Sequence, residues 1–357
     1  MSSNLRVLPL TTCANMVYLT LTMVEITNTK ELLNPKGQLA AAGYAKHMNF
    51  IYDKSAVKCP PLRLKEWDFY QVHFDGRYVL QLTVGHVSYA IQFSATVLDL
   101  VTGERRSVGK TAGRNLAFIR KMPTNPETPH TFKYFSKNWH ILLDVTEKSR
   151  HLAFTHSDSN GVRAEINVQF TNVSKDKEKM VIATPFADSR QWYLNYKENC
   201  FDVNGYARIE DVAYEIKDGF GLLDWGRGVW PFRHNWVWGN GGTVIDGKHF
   251  GFNIGWGFGN TEAATENAFF YDNKVYKLGV VTEIQMGDKF RYVDQDKRFV
   301  FAVEPIYDNH TKTRMLWVNN ECHQVFGKWR GYVVLDDGTK IEVPPFIAFC
   351  EKANNNW

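Results

Sequence analysis

The sequence predicts an all-β, predominantly antiparallel protein, on three observations. Dipeptides suited to tight hairpins recur, apolar residues alternate around them, and long helical periodicity is missing. The turn dipeptides are Asp75-Gly76, Asn160-Gly161, Asp246-Gly247 and Asp337-Gly338, with Asp272-Asn273 as a further one. Such pairs supply the positive φ angles that two-residue hairpin turns demand. Between them, Tyr78–Val84 (YVLQLTV) and Lys340–Val343 (KIEV) alternate as half-buried strands do. Only Gln38–Met48 is expected to be helical, with Gly43 as its weak point. Twenty-four Phe, 16 Tyr and 11 Trp suit strands and aromatic-lined cavities.

A chain of 357 residues allows two domains or one large β architecture. Lys and Arg number 42 against 38 Asp and Glu, and this near balance predicts no nucleic-acid footprint. The run Lys175–Lys179 alternates in sign and reads as a solvated loop. Five cysteines lie far apart without a CxxC, which favours a reducing, cytoplasmic setting over a disulfide framework or zinc ribbon. Neither a metal nor a cofactor is expected. No apolar run approaches the ~18 residues of a membrane span. Residues 1–22 make a poor signal peptide, so 1–31 is expected to be a disordered extension, with Met23 an alternative start.

A faint repeat suggests two related units. Trp67 precedes Asp75-Gly76 and Gly85 much as Trp238 precedes Asp246-Gly247 and Gly255. The units are expected at 32–210 and 211–357.

Several motifs fall short of the chemistry they suggest. Gly103–Thr111 has five residues between its glycines where a phosphate-binding loop needs four, and Gly255–Gly259 lacks the spacing and βαβ setting of a dinucleotide site. GxSxG and HExxH are missing. Three segments remain. Asp224–Pro231 (DWGRGVWP) sets Arg227 between two glycines, with Asp224 its nearest expected partner; such a pair among tryptophans would anchor a ligand or clasp a barrel end. Ala264–Asn267 offers Glu266, a carboxyl whose pKa aromatic surroundings would raise towards general-acid duty, or one that merely bonds Arg227 or an amide. His323–Gly327 (HQVFG) offers His323 for proton transfer, or as a buried histidine bonded to a carbonyl. Trp225, Trp230, Trp236, Trp238 and Trp256 are dense enough for some to line a cavity.

These segments, with Leu64–Tyr70 (LKEWDFY), Ala183-Thr184-Pro185, the glycine-rich Phe252–Gly259 and a carboxyl-terminal Trp, resemble a family catalogued as domain of unknown function 2804, from about Leu32 to Trp357. The resemblance implies two tandem lipocalin-like β-barrel units, related to carotenoid hydratase-like and pericyclase-like enzymes that act on apolar molecules without redox cofactors. The leading expectation is an aromatic-lined pocket for a small apolar ligand near the junction, bound by Asp224, Arg227, Trp230, Trp236, Trp238, Asn267 and Gln324. The rival is a non-redox hydratase, cyclase or isomerase using Glu266 and His323. A third reading is a structural or interaction protein without a ligand.

Overall fold

The computed structural model describes residues 23–60, 62–315 and 318–356. Three short strands open it, β1 (Lys30–Glu31), β2 (Gly43–Ala45) and β3 (Phe50–Ile51). The first long meander is β4 (Leu64–Phe74), β5 (Tyr78–His86), β6 (Ala90–Asp99) and β7 (Arg105–Gly113). After helix α1 (Leu116–Lys121) follow β8 (His130–Phe135), β9 (Trp139–Val145), β10 (Arg150–Asp158), β11 (Gly161–Thr171), β12 (Met180–Pro185), β13 (Trp192–Ile209) and β14 (Val212–Val229). The second half runs through β15 (Arg233–Ile245), β16 (Lys248–Trp256), β17 (Ala268–Tyr271), β18 (Lys274–Lys277), β19 (Val281–Met286), β20 (Lys289–Asp294), β21 (Phe299–Met315), β22 (Val318–Val334) and β23 (Lys340–Asn356).

The fold class is as expected, in the form of two curled antiparallel sheets. The first has the order β7-β6-β5-β4-β14-β13-β11-β10-β9-β8, with β12 added to β13 and β2 to β12; the second has β18-β17-β16-β15-β23-β22-β21-β20-β19. In both, a four-strand meander is followed by a return that lays the last strand beside the first, β14 on β4 and β23 on β15. The hydrogen-bonded path stays open between β7 and β8 and between β18 and β19, so each unit is a half-barrel. The repeated residues occupy matching places, since Trp67 opposes Gly85 on β4–β5 and Trp238 opposes Gly255 on β15–β16. Asp75-Gly76, Asp246-Gly247 and Asp272-Asn273 all have positive φ, as type I′ turns need.

Three expectations about boundaries differ from what is seen. Gln38–Met48 is not helical: β2 lies within it and pairs with Val181–Ala183, a tertiary pairing that overrides a short local pattern. The longest helical stretch among the described residues is α1, capped by the Asn115 side chain accepting from the Phe118 amide at 3.0 Å. Residues 23–31, expected in an extension, are tied to the first sheet region by buried Ile26 and by β1 pairing with β3; residues 1–22 lie outside the described residues. The passage between sheets falls at Trp230–Phe232, because Val212–Val229 belongs to the first sheet.

Each sheet curls around its own apolar core. On the first this holds Trp192, Leu194, Tyr196, Leu223, Trp225 and Val229; on the second, Phe250, Phe252, Ile254, Phe301 and Trp329. Strand side chains alternate between faces, so the residues between these point the other way. Those opposite faces of the two sheets meet, with Leu222, Trp238, Phe326 and Phe349 in one apolar patch and Tyr193, Trp230, Phe258 and Phe270 in another. No described helix is long and apolar enough to cross a membrane.

Candidate functional site

The polar residues between the sheets come from β4, β5, β13, β14, β22 and β23 and from the loop after β16. On β13 the alternation is Trp192, Leu194 and Tyr196 inward, Tyr193, Asn195 and Lys197 towards the second sheet. The Lys197 ammonium lies 2.9 Å from Asp224 Oδ1 on β14 and 3.5 Å from Glu266 Oε2 in the loop after β16, and sits 4.1 Å over the Trp238 ring. Asp224 also accepts from Asn195 Nδ2 at 2.6 Å and from the Trp67 indole at 3.2 Å. Glu351, on β23, accepts from the Trp236 indole at 2.7 Å and from Gln324 Nε2 at 3.2 Å. A side-chain amide chain runs on from Gln324 through Gln81 and Gln71 to His73, each link 2.8 Å. Trp67, Tyr193 and Trp230 pack together as an aromatic wall, Trp67 stacked on Tyr193 and both rings tilted against Trp230. Gly226 makes that wall possible, since a Cβ there would stand 2.1 Å from the Trp67 ring. Gly255 does the same for Glu266, whose Oε1 would meet a Cβ at 2.1 Å.

Charge here does not balance: Lys197 contacts Asp224 and Glu266 and acts on Glu351 through its charge, and all four groups are buried, while Lys277, a further ammonium acting on Glu266, is itself lowered to about 7 by burial. Burial raises the Glu351 carboxyl to about 7; the Trp236 hydrogen bond and Lys197 oppose this, and Asp224 adds to it. Burial likewise raises Glu266, against Lys197 and with Asp224. The Tyr193 hydroxyl is pushed up by burial and then by the three carboxylates. Asn195 Oδ1 and Trp230 Nε1 are buried with no hydrogen-bond partner among the described residues, and Glu266 Oε2 has only the 3.5 Å ion pair with Lys197. Such atoms are rare in native interiors and call for an explanation.

Arg227 lies elsewhere. In a continuous strand, residues three apart face opposite sides, so Asp224 and Arg227 are separated by the sheet itself. The expected pair does not form. Arg227 Nη2 donates to Asp68 Oδ1 at 2.8 Å, and its remaining N–H groups go to the Trp67, Gly226 and Pro123 carbonyls. Its guanidinium stacks 3.8 Å from the Trp225 ring. All the guanidinium donors of Arg227 are thus occupied within the protein, and Asp224 is not among their acceptors. Beside it, Glu66 meets Tyr52, Lys54 and His86. Burial alone would raise the Glu66 carboxyl, but the His86 hydrogen bond and the Arg227 and Lys54 charges hold it at about 2.

His323 is also apart from the others. It is half exposed on the solvent side of β22, its Nδ1 2.7 Å from Asp308 Oδ2, and does not converge with Glu266. Its neighbour Gln324, of opposite parity, is the one that reaches the site. Asn267 serves the backbone: its Oδ1 accepts from Gly255 N at 2.7 Å and its Nδ2 donates to Gly279 O. Of the expected residues, Asp224, Glu266, Trp230, Trp236, Trp238 and Gln324 lie between the sheets. Lys197, Glu351, Tyr193, Asn195 and Trp67 were missed, although the alternation in Trp192–Asn199 (WYLNYKEN) carries the signal for three of them.

A depression of about 320 Å³, lined by Arg233, His234, Asn235, Asn319 and Asn354–356, borders this region. His234 stacks there on Trp236, with ring planes 14° apart. A shallower depression of about 440 Å³ lies around Arg291, Arg330 and Tyr332, away from the buried carboxyls.

Among solved structures, kievitone hydratase from Nectria haematococca is similar in fold: 10% identity, 92% of this chain and 98% of that chain covered, TM-score 0.50. A candidate AttH of Nitrosomonas europaea covers 85% of this chain and 98% of its own at 12% identity and TM-score 0.49. None of the curated proteins matches the sequence. A family model does match, from residue 23 to 357, and the chain belongs to the family described as domain of unknown function DUF2804.

Proposed function

We propose that the protein carries out proton-transfer chemistry, such as hydration, dehydration or isomerisation, on a small apolar molecule held between the two sheets. The observation that carries this reading is the excess of buried carboxyls over ammonium around Lys197, walled by Trp67, Trp230, Trp236 and Trp238. A carboxyl at about 7 holds or releases a proton near neutral pH, which is what a general acid or base needs. Glu351 is the proton donor in this reading, Glu266 its partner across Lys197, and the Lys197–Asp224 pair stabilises developing charge. The aromatic wall suits an apolar body, and Asn195 Oδ1 and Trp230 Nε1 are polar atoms that a substrate could satisfy. Entry would follow the asparagine-lined depression, past His234 and Trp236. The fold likeness to a hydratase agrees with this only as analogy.

The test is incubation in D2O with a panel of small alkenes, enones and tertiary alcohols. Mass spectrometry reads deuterium at carbon and gain or loss of water. Wild type is expected to turn over at least one class, and Glu351→Gln to lose about 100-fold or more while melting as a folded protein. A Glu351→Gln variant with undiminished turnover removes the proposed role. If wild type binds panel members tightly but transforms none, the ligand-carrier reading replaces the enzymatic one.

A further inference from the structure

We propose that the solvent face of the β21–β22 ribbon binds a first-row divalent cation of the Zn2+ type through His310, Glu321 and His323. His310 and His323 are directly opposed across the two strands, and their rings lie parallel, 4.0 Å apart with planes at 4°. Glu321 is two residues from His323 on the same strand, hence on the same face. Its carboxylate lies 3.2 Å from His310 Nε2. One ligand atom from each of the three can be chosen so that all lie within 4.8 Å of one another. Bonds of ~2.0–2.2 Å to a tetrahedral ion place ligand atoms about 3.3 Å apart, so small rotations of partly exposed side chains close the set.

A second feature points the same way. His323 Nδ1 is held at 2.7 Å by Asp308 Oδ2, which makes Nδ1 the donor and turns the Nε2 lone pair outward. A carboxylate that orients a ligating imidazole through its far nitrogen is the usual support of a metal-bound histidine. Two imidazoles and one carboxylate suit Zn2+, Ni2+ or Cu2+ better than Mg2+ or Ca2+, which prefer all-oxygen shells. The competing group is Lys312, whose ammonium contacts both Glu321 oxygens at 2.9–3.0 Å. It is half exposed, and an exposed ion pair of this kind costs little to break.

The experiment uses the full chain, treated with a chelator, dialysed, and titrated with Zn2+ against a chromophoric competitor. One equivalent is expected to bind, displaced by Ni2+ and not by millimolar Mg2+. His310→Ala and His323→Ala should each weaken it about 100-fold or more. Asp308→Asn should weaken it about tenfold, and Lys312→Ala should strengthen it. His249→Ala, which alters a histidine paired with Asp202 on another strand, should leave it unchanged. Thermal melts confirm that each variant is folded. Absence of stoichiometric Zn2+ binding by wild type overturns the proposal. So does wild-type affinity in the His310→Ala/His323→Ala double variant, which would assign the ion to cysteines or to other histidines.

Discussion

Two charged clusters flank the same strand, and they are opposites. On the inner face of β14, Arg227 and Lys54 meet Asp68 and Glu66, two positive groups against two negative, with the guanidinium donors all engaged and Glu66 held at about 2. On the outer face, one residue along in the alternation, Lys197 serves Asp224, Glu266 and Glu351, and two of those carboxyls are pushed upward. The same burial acts on both. What differs is the count of positive charge and hydrogen-bond donors available to offset it. A balanced cluster locks its protonation state and its geometry. An unbalanced one keeps a proton within reach, which is poor for stability and useful for chemistry.

The largest effect expected from this contrast is at Arg227. Arg227→Met would leave Asp68 buried without its 2.8 Å partner and strip three carbonyls of their donors, at a cost of about 3–5 kcal/mol. Denaturant unfolding measures this, and a loss under 1 kcal/mol would show that the inner cluster is not a clasp. Acid sharpens the same point. Because the Glu66 carboxyl is depressed in the folded state, its contribution is fully present above its ordinary value near 4.5 and is lost as pH falls from there towards 2. Wild-type stability should therefore drop over that window more steeply than that of Glu66→Gln.

A middle-sized effect belongs to the outer face. Gly226→Ala would drive a methyl group into the Trp67 indole, which holds Asp224 through its N–H. Overpacking of this sort costs about 1–3 kcal/mol, and turnover should fall with it as Trp67 moves. A variant that keeps both stability and turnover would mean that the indole gives way freely and does not position Asp224.

The division between clusters also explains what could be read from the chain. Hairpins were legible because their turns are local: Asp75-Gly76 and Asp246-Gly247 carry the required φ within two residues. The density of Trp around Asp224–Trp238 was legible too, and Trp230, Trp236 and Trp238 pack between the two sheets. The Asp224–Arg227 pairing was not, because it needs Val212–Val229 to be recognised as one strand, after which a spacing of three forbids a shared face. Parity sorts His323 from Gln324 in the same way, sending one to solvent and the other to Glu351. Glu351 itself meets Trp236 only through the pairing of β23 with β15, a contact over more than a hundred residues that no local pattern encodes.

The smallest effect, and the most discriminating, has the opposite sign. A raised carboxyl binds its proton more tightly in the folded protein than in the unfolded chain. Glu351 therefore favours folding most fully below about 4.5, and this contribution fades as pH rises through about 7. At about 1.4 kcal/mol per pH unit of displacement, the handicap at pH 8 is bounded by about 3.5 kcal/mol. Glu351→Gln removes the ionisation and keeps an oxygen for the Trp236 indole, but it sets an amide N–H against Gln324 Nε2, which donates to Glu351 in the native protein. The clash is present at every pH, so the net change should be a gain on the order of 1 kcal/mol at pH 8 that turns into a loss on the order of 1 kcal/mol at pH 5, where the native carboxyl keeps its proton. Melting curves of the two proteins across that range decide the matter. Curves that stay parallel would mean that Glu351 is ionised throughout, and the outer cluster would then be a second clasp.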